Sequence, residues 1–363
     1  MAKANQPALG AIALLVYAAL EASIVFIPLY AQELGASYLE VGIVGLSYGM
    51  AYFLASLFFG WQSDKYGRVK FIKIGLGIGS VAFFLQALAN NLPYLTVVRA
   101  FCGFSLGVSS AALIAYAFET EGVVGKFTSY GALGLVAGSA AAAIIKEYSY
   151  LFTLSALMCL VAFILSLRLK EQATQRKALI AHPGQVTLRN WRLYLPFFLR
   201  QIGARGVWII LPLFLVDIGA SKSWIGILWM INFGSQFIAM RFTEIFNEGK
   251  MFSLGLILSG VVFLAYFPAT NYLQVIPTQV VLGISWSTFY VGALLLLMRS
   301  GEERGTSAGI LFSITSLCEG IGPFLGGVLA QIMNFQAALL FAAFMSFAGL
   351  PLSLRIRLQN KPP

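Results

Sequence analysis

Five ionisable residues stand deep inside long apolar runs: Glu21, Arg99, Arg200, Arg205 and Glu319, with Glu119 and Arg299 nearer the ends of such runs. A charge at that depth costs about 2.5–3.5 kcal/mol even on lenient membrane-insertion scales, so each needs a partner or a task. A carboxyl can take up and release a proton, and a guanidinium can pair with it or hold an anion. Charge is also concentrated between Gly60 and Lys70, in the stretch GWQSDKYGRVK. There Gly60 and Gly67 permit a tight turn, while Asp64 and Arg68 can pair with each other or meet a helix end. Covalent chemistry is poorly provided for. His182 is the one histidine, Cys102, Cys159 and Cys318 sit singly in apolar segments without metal-ligand spacing, and no G-x-x-x-x-G-K-[ST] loop occurs. Neither an enzyme nor a cofactor is expected, and ATP drive is not provided for.

The elements that must carry these groups follow from composition. Hydrophobic residues make up 59% of the 363 and charged residues 10%, against roughly 25% charged in a soluble domain. Apolar runs of about 20 residues, the length that crosses a bilayer core, recur along the chain. They predict twelve spanning helices at 8–31, 39–59, 71–89, 94–118, 127–145, 151–167, 193–216, 224–242, 252–267, 272–298, 306–332 and 335–354. The first run lacks a cleavage-type end and reads as a span. The expectation is an all-α integral membrane protein embedded in the lipid bilayer. Its boundaries are a first bundle over 1–169, a polar linker over 170–190 and a second bundle over 191–363.

The net charge of +10 does not point to nucleic acid, because the cations are sorted by loop. Lys65, Arg68, Lys70, Lys126, those from 168 to 192, Lys250, Arg304, Arg355 and Arg357 fall on one side of the twelve spans; Lys146 and Lys222 fall on the other. Positive charge inside then puts both termini in the cytoplasm.

The chain also repeats itself. FIPLYAQELGAS from Phe26 lies over ILPLFLVDIGAS from Ile210, an offset of 184 residues, the distance from Pro28 to Pro212. The same offset carries Glu21 onto Arg205, an acid onto a base. Each has a polar neighbour one turn earlier, Tyr17 and Gln201, so the first helix of each half presents a matched polar stripe. Arg200 lies about 140° round the helix from Arg205 and is expected to serve the cytoplasmic vestibule or another helix.

Gly60, Asp64, Gly67 and Arg68, with Lys70 after them, resemble the G-x-x-x-D-x-x-G-R-[KR] loop of major facilitator superfamily transporters. Further resemblance lies in Arg99-x-x-x-Gly103, where Cys102 replaces the usual Gln. Gly134-x-x-x-Gly138-Ser resembles an antiporter signature that has lost its Pro and terminal glycines, while Gly322-Pro323-Phe-Leu-Gly326-Gly327 carries the intact piece in the eleventh span. The loop's second copy, at Glu248-Gly249-Lys250, reads as decayed and functionally weaker.

The resemblance implies two pseudo-symmetric six-helix bundles that rock about a midplane site, a secondary transporter working by alternating access. It implies that the first and seventh helices face a central cavity, with Glu21 and Arg205 on opposite walls. It also implies that Asp64 lies near the start of helix eleven, beside Thr306 and Ser307, and that Arg68 reaches Glu119 or, second, Glu121. This cluster would hold the cytoplasmic side shut in the outward-open state. Glu21 and Arg205 are left as a static ion pair, a proton-coupling switch or, with Arg99, an anion site. Glu319 is read as a satisfied interhelical hydrogen bond, with proton carriage as the alternative; Gly320, Gly322 and Pro323 loosen its helix. The expected partners are a small organic solute, anionic on the count of arginines, and protons. An amphipathic drug exported against protons is the alternative, and the protein is read as a monomer.

Overall fold

The computed structural model describes residues 6–36, 38–122, 124–145, 147–171 and 181–356. Ser37 of the repeat, Lys146, Arg357 and the centre of the 170–190 linker lie outside the described residues, and so does the side chain of Lys222. Among the described residues there are helices and no strand: α1 (Gln6–Ile24), α2 (Ile27–Glu33), α3 (Tyr38–Tyr66), α4 (Arg68–Ala87), α5 (Leu92–Glu121), α6 (Gly125–Ile144), α7 (Tyr148–Ser166), α8 (Pro183–Arg189), α9 (Trp191–Asp217), α10 (Lys222–Phe242), α11 (Glu248–Ala265), α12 (Val275–Arg299), α13 (Arg304–Ile332), α14 (Phe335–Ala348) and α15 (Leu350–Ser353). Among the described residues eleven spans are long and apolar enough to cross a membrane, counting α1 with α2 and α14 with α15; α9, bent by 46° between Trp208 and Ile210, is a twelfth when its two arms are counted as one span. Large apolar side chains such as Leu54, Val97, Phe324 and Phe344 remain exposed along these helices. Hydrocarbon is the surrounding that leaves them unpenalised, and a helix meets its demand that the backbone bond to itself.

The boundaries between helices follow their local chemistry. Asn91 accepts a hydrogen bond from the Tyr94 amide and caps α5, with Pro93 in the first turn, and Gly122 ends that helix at φ 71°. Asn247 and Asn334 cap α11 and α14 in the same way.

The chain forms two compact units, residues 1–187 with 301–316, and 188–300 with 317–363. The first unit therefore holds the first half of α13 as well as α1 to α7. In unit 1, α1 packs on α6 and α7, α3 on α5, and α4 on α5 and α7; in unit 2, α9 packs on α14, α10 on α12, and α11 on α12 and α14. Under the repeat, α1 on α7 matches α9 on α14, α3 on α5 matches α10 on α12, and α4 on α5 and α7 matches α11 on α12 and α14.

Atomic contacts keep the same register. A Cβ built on Gly138 would meet the Ala18 carbonyl oxygen at 2.6 Å and the Glu21 Cβ at 2.7 Å; one on Gly322 would meet the Ile202 carbonyl oxygen at 3.0 Å and the Arg205 Cβ at 2.7 Å. All of these positions are related by the 184-residue offset. Glycine is required there because the helices touch backbone to backbone, as small-residue membrane interfaces do. Gly326, whose Cβ would lie on the Gly206 carbonyl, and Gly327, which has nothing within 4 Å, provide a test. Gly326→Ala is expected to destabilise by about 1–3 kcal/mol through overpacking. It should lower the unfolding temperature of the detergent-solubilised protein by several degrees, whereas Gly327→Ala should leave it unchanged.

Candidate functional site

The charged loop is built by a one-residue turn. Helix α3 ends at Tyr66, α4 begins at Arg68, and Gly67 between them sits at φ 105° and ψ 149°, a conformation that only glycine adopts freely. Asp64 and Arg68 are thereby brought side by side as an ion pair, both buried. Asp64 accepts hydrogen bonds from the amides of Gly305 (2.9 Å) and Thr306 (2.7 Å) and from the Thr306 hydroxyl. It therefore caps the start of α13, where the helix dipole favours an anion. Arg68 reaches Glu119 at 2.9 Å and the Ser63 hydroxyl at 2.9 Å, and Arg304 joins Glu119 at 3.4 Å. Gly60 makes the approach possible, since a Cβ there would meet the Gly305 carbonyl at 2.5 Å. Trp61, in the same turn of α3, carries Lys65 over its ring at 3.5 Å and meets His182 edge to face. Glu171, which the sequence reading left inside a polar linker, accepts hydrogen bonds from the amides of Arg68 (2.9 Å) and Val69 (3.0 Å).

The repeat-related charges each find a partner within their own unit. Glu21 accepts a hydrogen bond from Ser139 at 3.0 Å and has no cation at ion-pair distance among the described residues. Arg205 pairs with Glu319 at 2.6 Å, both side chains part-exposed at 30% and 40%. Glu319 is therefore half of an ion pair, where the sequence suggested a plain interhelical hydrogen bond. The helix α13 runs on unbroken through Pro323.

Two further arginines are buried with no acid beside them among the described residues. Arg99 lies over the Tyr48 ring at 4.5 Å and donates to Gln86 at 3.3 Å. Arg200 lies between Trp286 (5.1 Å) and Phe289 (5.0 Å) and donates to Ser259 (3.0 Å) and Gln201 (2.7 Å). Of the two placements expected, the vestibule or another helix, its contacts are with other helices, α11 and α12, where two aromatic faces and two hydroxyl or amide oxygens satisfy it. The Gln201 amide oxygen accepts from Arg200, and Gln201 is buried while Arg205 is part-exposed. Tyr17 lines a cavity of about 50 Å³ within unit 1, together with Leu20, Tyr52, Ser109, Phe127 and Phe312.

The second half holds counterparts that the sequence did not reveal. An offset of 180 residues, the distance from Gly67 to Asn247, carries Gln86 and Arg99 onto Tyr266 and Gln279, which are hydrogen-bonded at 3.0 Å. It carries Arg68 and Glu119 onto Glu248 and Arg299, paired at 2.6 Å. The loop copy taken as decayed is thus a paired site of inverted sign. A search for the same residue types could not find it.

Two repeated six-helix halves, helices in backbone contact at glycine, and charges buried at repeat-related positions define a multi-pass membrane transporter. The chain belongs to the Major Facilitator Superfamily, which it matches over residues 9–233 and again over 193–363. It is similar to the Quinolone resistance protein NorA of Staphylococcus aureus strain COL, 23% identical over 350 residues covering 90% of each chain, and equally to the NorA of strain MRSA252, 23% identical over 355 residues. Among solved structures it is similar to the human organic anion transporter MFSD10 (TETRAN), with a TM-score of 0.84 at 14% identity, covering 96% of this chain and 98% of that one.

Proposed function

We propose that the protein is a proton-coupled transporter of the cell membrane, with both termini cytoplasmic, moving a small amphipathic aromatic solute by alternating access. The observation that carries coupling is Glu21: a carboxyl on a spanning helix, offered one hydroxyl by Ser139 and, among the described residues, no cation. Its surroundings suit a group that takes up a proton and gives it back when wetted, and a charge left there permanently would be costly. Arg205, the repeat mate, already has Glu319 as counter-ion. Glu319 is accordingly assigned to that pair, and Glu21 to the proton.

The solute assignment departs from an organic anion for a specific reason. Arg205 is paired with Glu319, and Arg99 and Arg200 are buried in the interior of their bundles over aromatic rings, so each of these three guanidiniums already has a protein partner. The cavity one turn from Glu21 is lined by Tyr17, Tyr52, Phe127 and Phe312 with two serines, a lining for aromatic rings with a polar edge. Its volume of about 50 Å³ is small beside the roughly 300–1,000 Å³ of drug-sized sites, so a solute enters only as these helices part. The relatives named for quinolone resistance support the same class. Asp64, Arg68 and Glu119 form the latch that releases the start of α13 during that movement.

Reconstituted protein tests this directly with two dyes, ethidium as an aromatic cation and carboxyfluorescein as an organic anion. A pH gradient is expected to drive ethidium and leave carboxyfluorescein in place. Transport indifferent to the gradient would contradict coupling, and preference for carboxyfluorescein would contradict the solute class.

A further inference from the structure

A helix start leaves its first amides without partners inside the helix, and something must accept from them. In the second half the need is met locally: the Asn247 side chain accepts from the Lys250 amide at 3.1 Å. The repeat places Gly67 at the position of Asn247, and a glycine has no side chain to offer. The amides of Arg68 and Val69 are taken instead by the two carboxylate oxygens of Glu171, at 2.9 and 3.0 Å, from a residue about a hundred positions further along the chain. The neighbouring Lys170 carbonyl is fixed in turn by the Tyr116 hydroxyl of α5 at 2.9 Å.

The sign of the latch explains why an imported acid is needed. Glu248 opens α11 and Arg299 closes α12, so that pair lies with both helix dipoles. Arg68 opens α4 and Glu119 lies in the last turn of α5, so the first-half pair lies against both. A guanidinium at a helix start is repelled by the exposed amides unless an anion covers them. Glu171 covers them. On the far side of the undescribed linker residues, the Ala181 amide donates to Glu303, immediately before α13, at 3.3 Å. The described ends of the linker therefore grip both helix starts that the latch joins.

We infer that Glu171 is a positioning residue of the latch: it caps α4 and holds Arg68 on Asp64 and Glu119. This inference rests on the latch reading above. In proteoliposomes supplied with ethidium and a pH gradient, Glu171→Ala and Glu171→Gln are expected to lower the maximal rate about tenfold, the scale of a lost hydrogen bond to a charged group. The half-saturating ethidium concentration and the unfolding temperature should stay at wild-type values. Combined with Asp64→Asn, neither variant should slow transport beyond Asp64→Asn alone, because both act on one step. Should the alanine variant fold poorly, the glutamine variant decides, since it keeps the shape and loses the charge. A wild-type maximal rate in Glu171→Gln, or a loss that multiplies with that of Asp64→Asn, would overturn the assignment of Glu171. A wild-type rate in Asp64→Asn itself would overturn the latch and this inference with it.

Discussion

Replacing Asp64 with asparagine is expected to cut transport at least about tenfold while leaving membrane insertion and the unfolding temperature near wild type. Asp64 accepts from two amides and a hydroxyl at the start of α13 and from the Arg68 guanidinium, all as an anion. Hydrogen bonds to a charged group contribute about 1.5–3 kcal/mol each, and about 1.4 kcal/mol is a factor of ten in an equilibrium. Asparagine keeps one acceptor oxygen but turns its amide group toward backbone amides or the Arg68 guanidinium, none of which can accept; only the Thr306 hydroxyl can. The latched state should therefore become rare, and a cycle that must pass through it should slow in proportion. Hydropathy and helix packing are untouched, so the variant should reach the membrane folded. Uptake into proteoliposomes, normalised to reconstituted protein, measures this, and wild-type turnover would contradict the latch.

The second large effect is expected at Glu21. Glutamine matches the carboxyl in shape and can still accept from Ser139, but it cannot carry a proton. Accumulation driven by a pH gradient should fall to the level of empty liposomes in Glu21→Gln. Exchange of labelled for unlabelled solute without a gradient should persist, because binding and alternation do not need the proton in that mode. A variant that lost exchange as fully as accumulation would place Glu21 in solute binding instead.

Much of this architecture was legible in the sequence because membranes impose simple rules. Length and hydropathy gave the spans, and the repeat at Pro28 and Pro212 predicted a register that the Gly138 and Gly322 contacts keep. The charged loop was legible as well, since Gly60, Asp64, Gly67 and Arg68 are close in sequence and their geometry is local. What the sequence hid was partnership between distant segments. Arg205 and Glu319 were both visible as charges within apolar runs, but nothing in their spacing said that they would pair. Arg200 could be assigned to the vestibule or to another helix, and the sequence did not say that its neighbours would be aromatic rings on α12. Glu171 was read as one acid in a polar boundary, because its value comes from two amides that belong to another helix. Glu248 and Arg299 were missed for a different reason: the repeat preserved a pair there and exchanged its signs.

The account turns on a solute crossing the membrane in exchange for a proton held at Glu21. Liposomes holding a trapped pH indicator, reconstituted with wild-type protein and given ethidium without a preset gradient, test it most directly. The account predicts a change of internal pH that begins with ethidium addition, grows with its concentration and is absent in Glu21→Gln. Ethidium movement with no change of internal pH, or an equal change in Glu21→Gln, would contradict it.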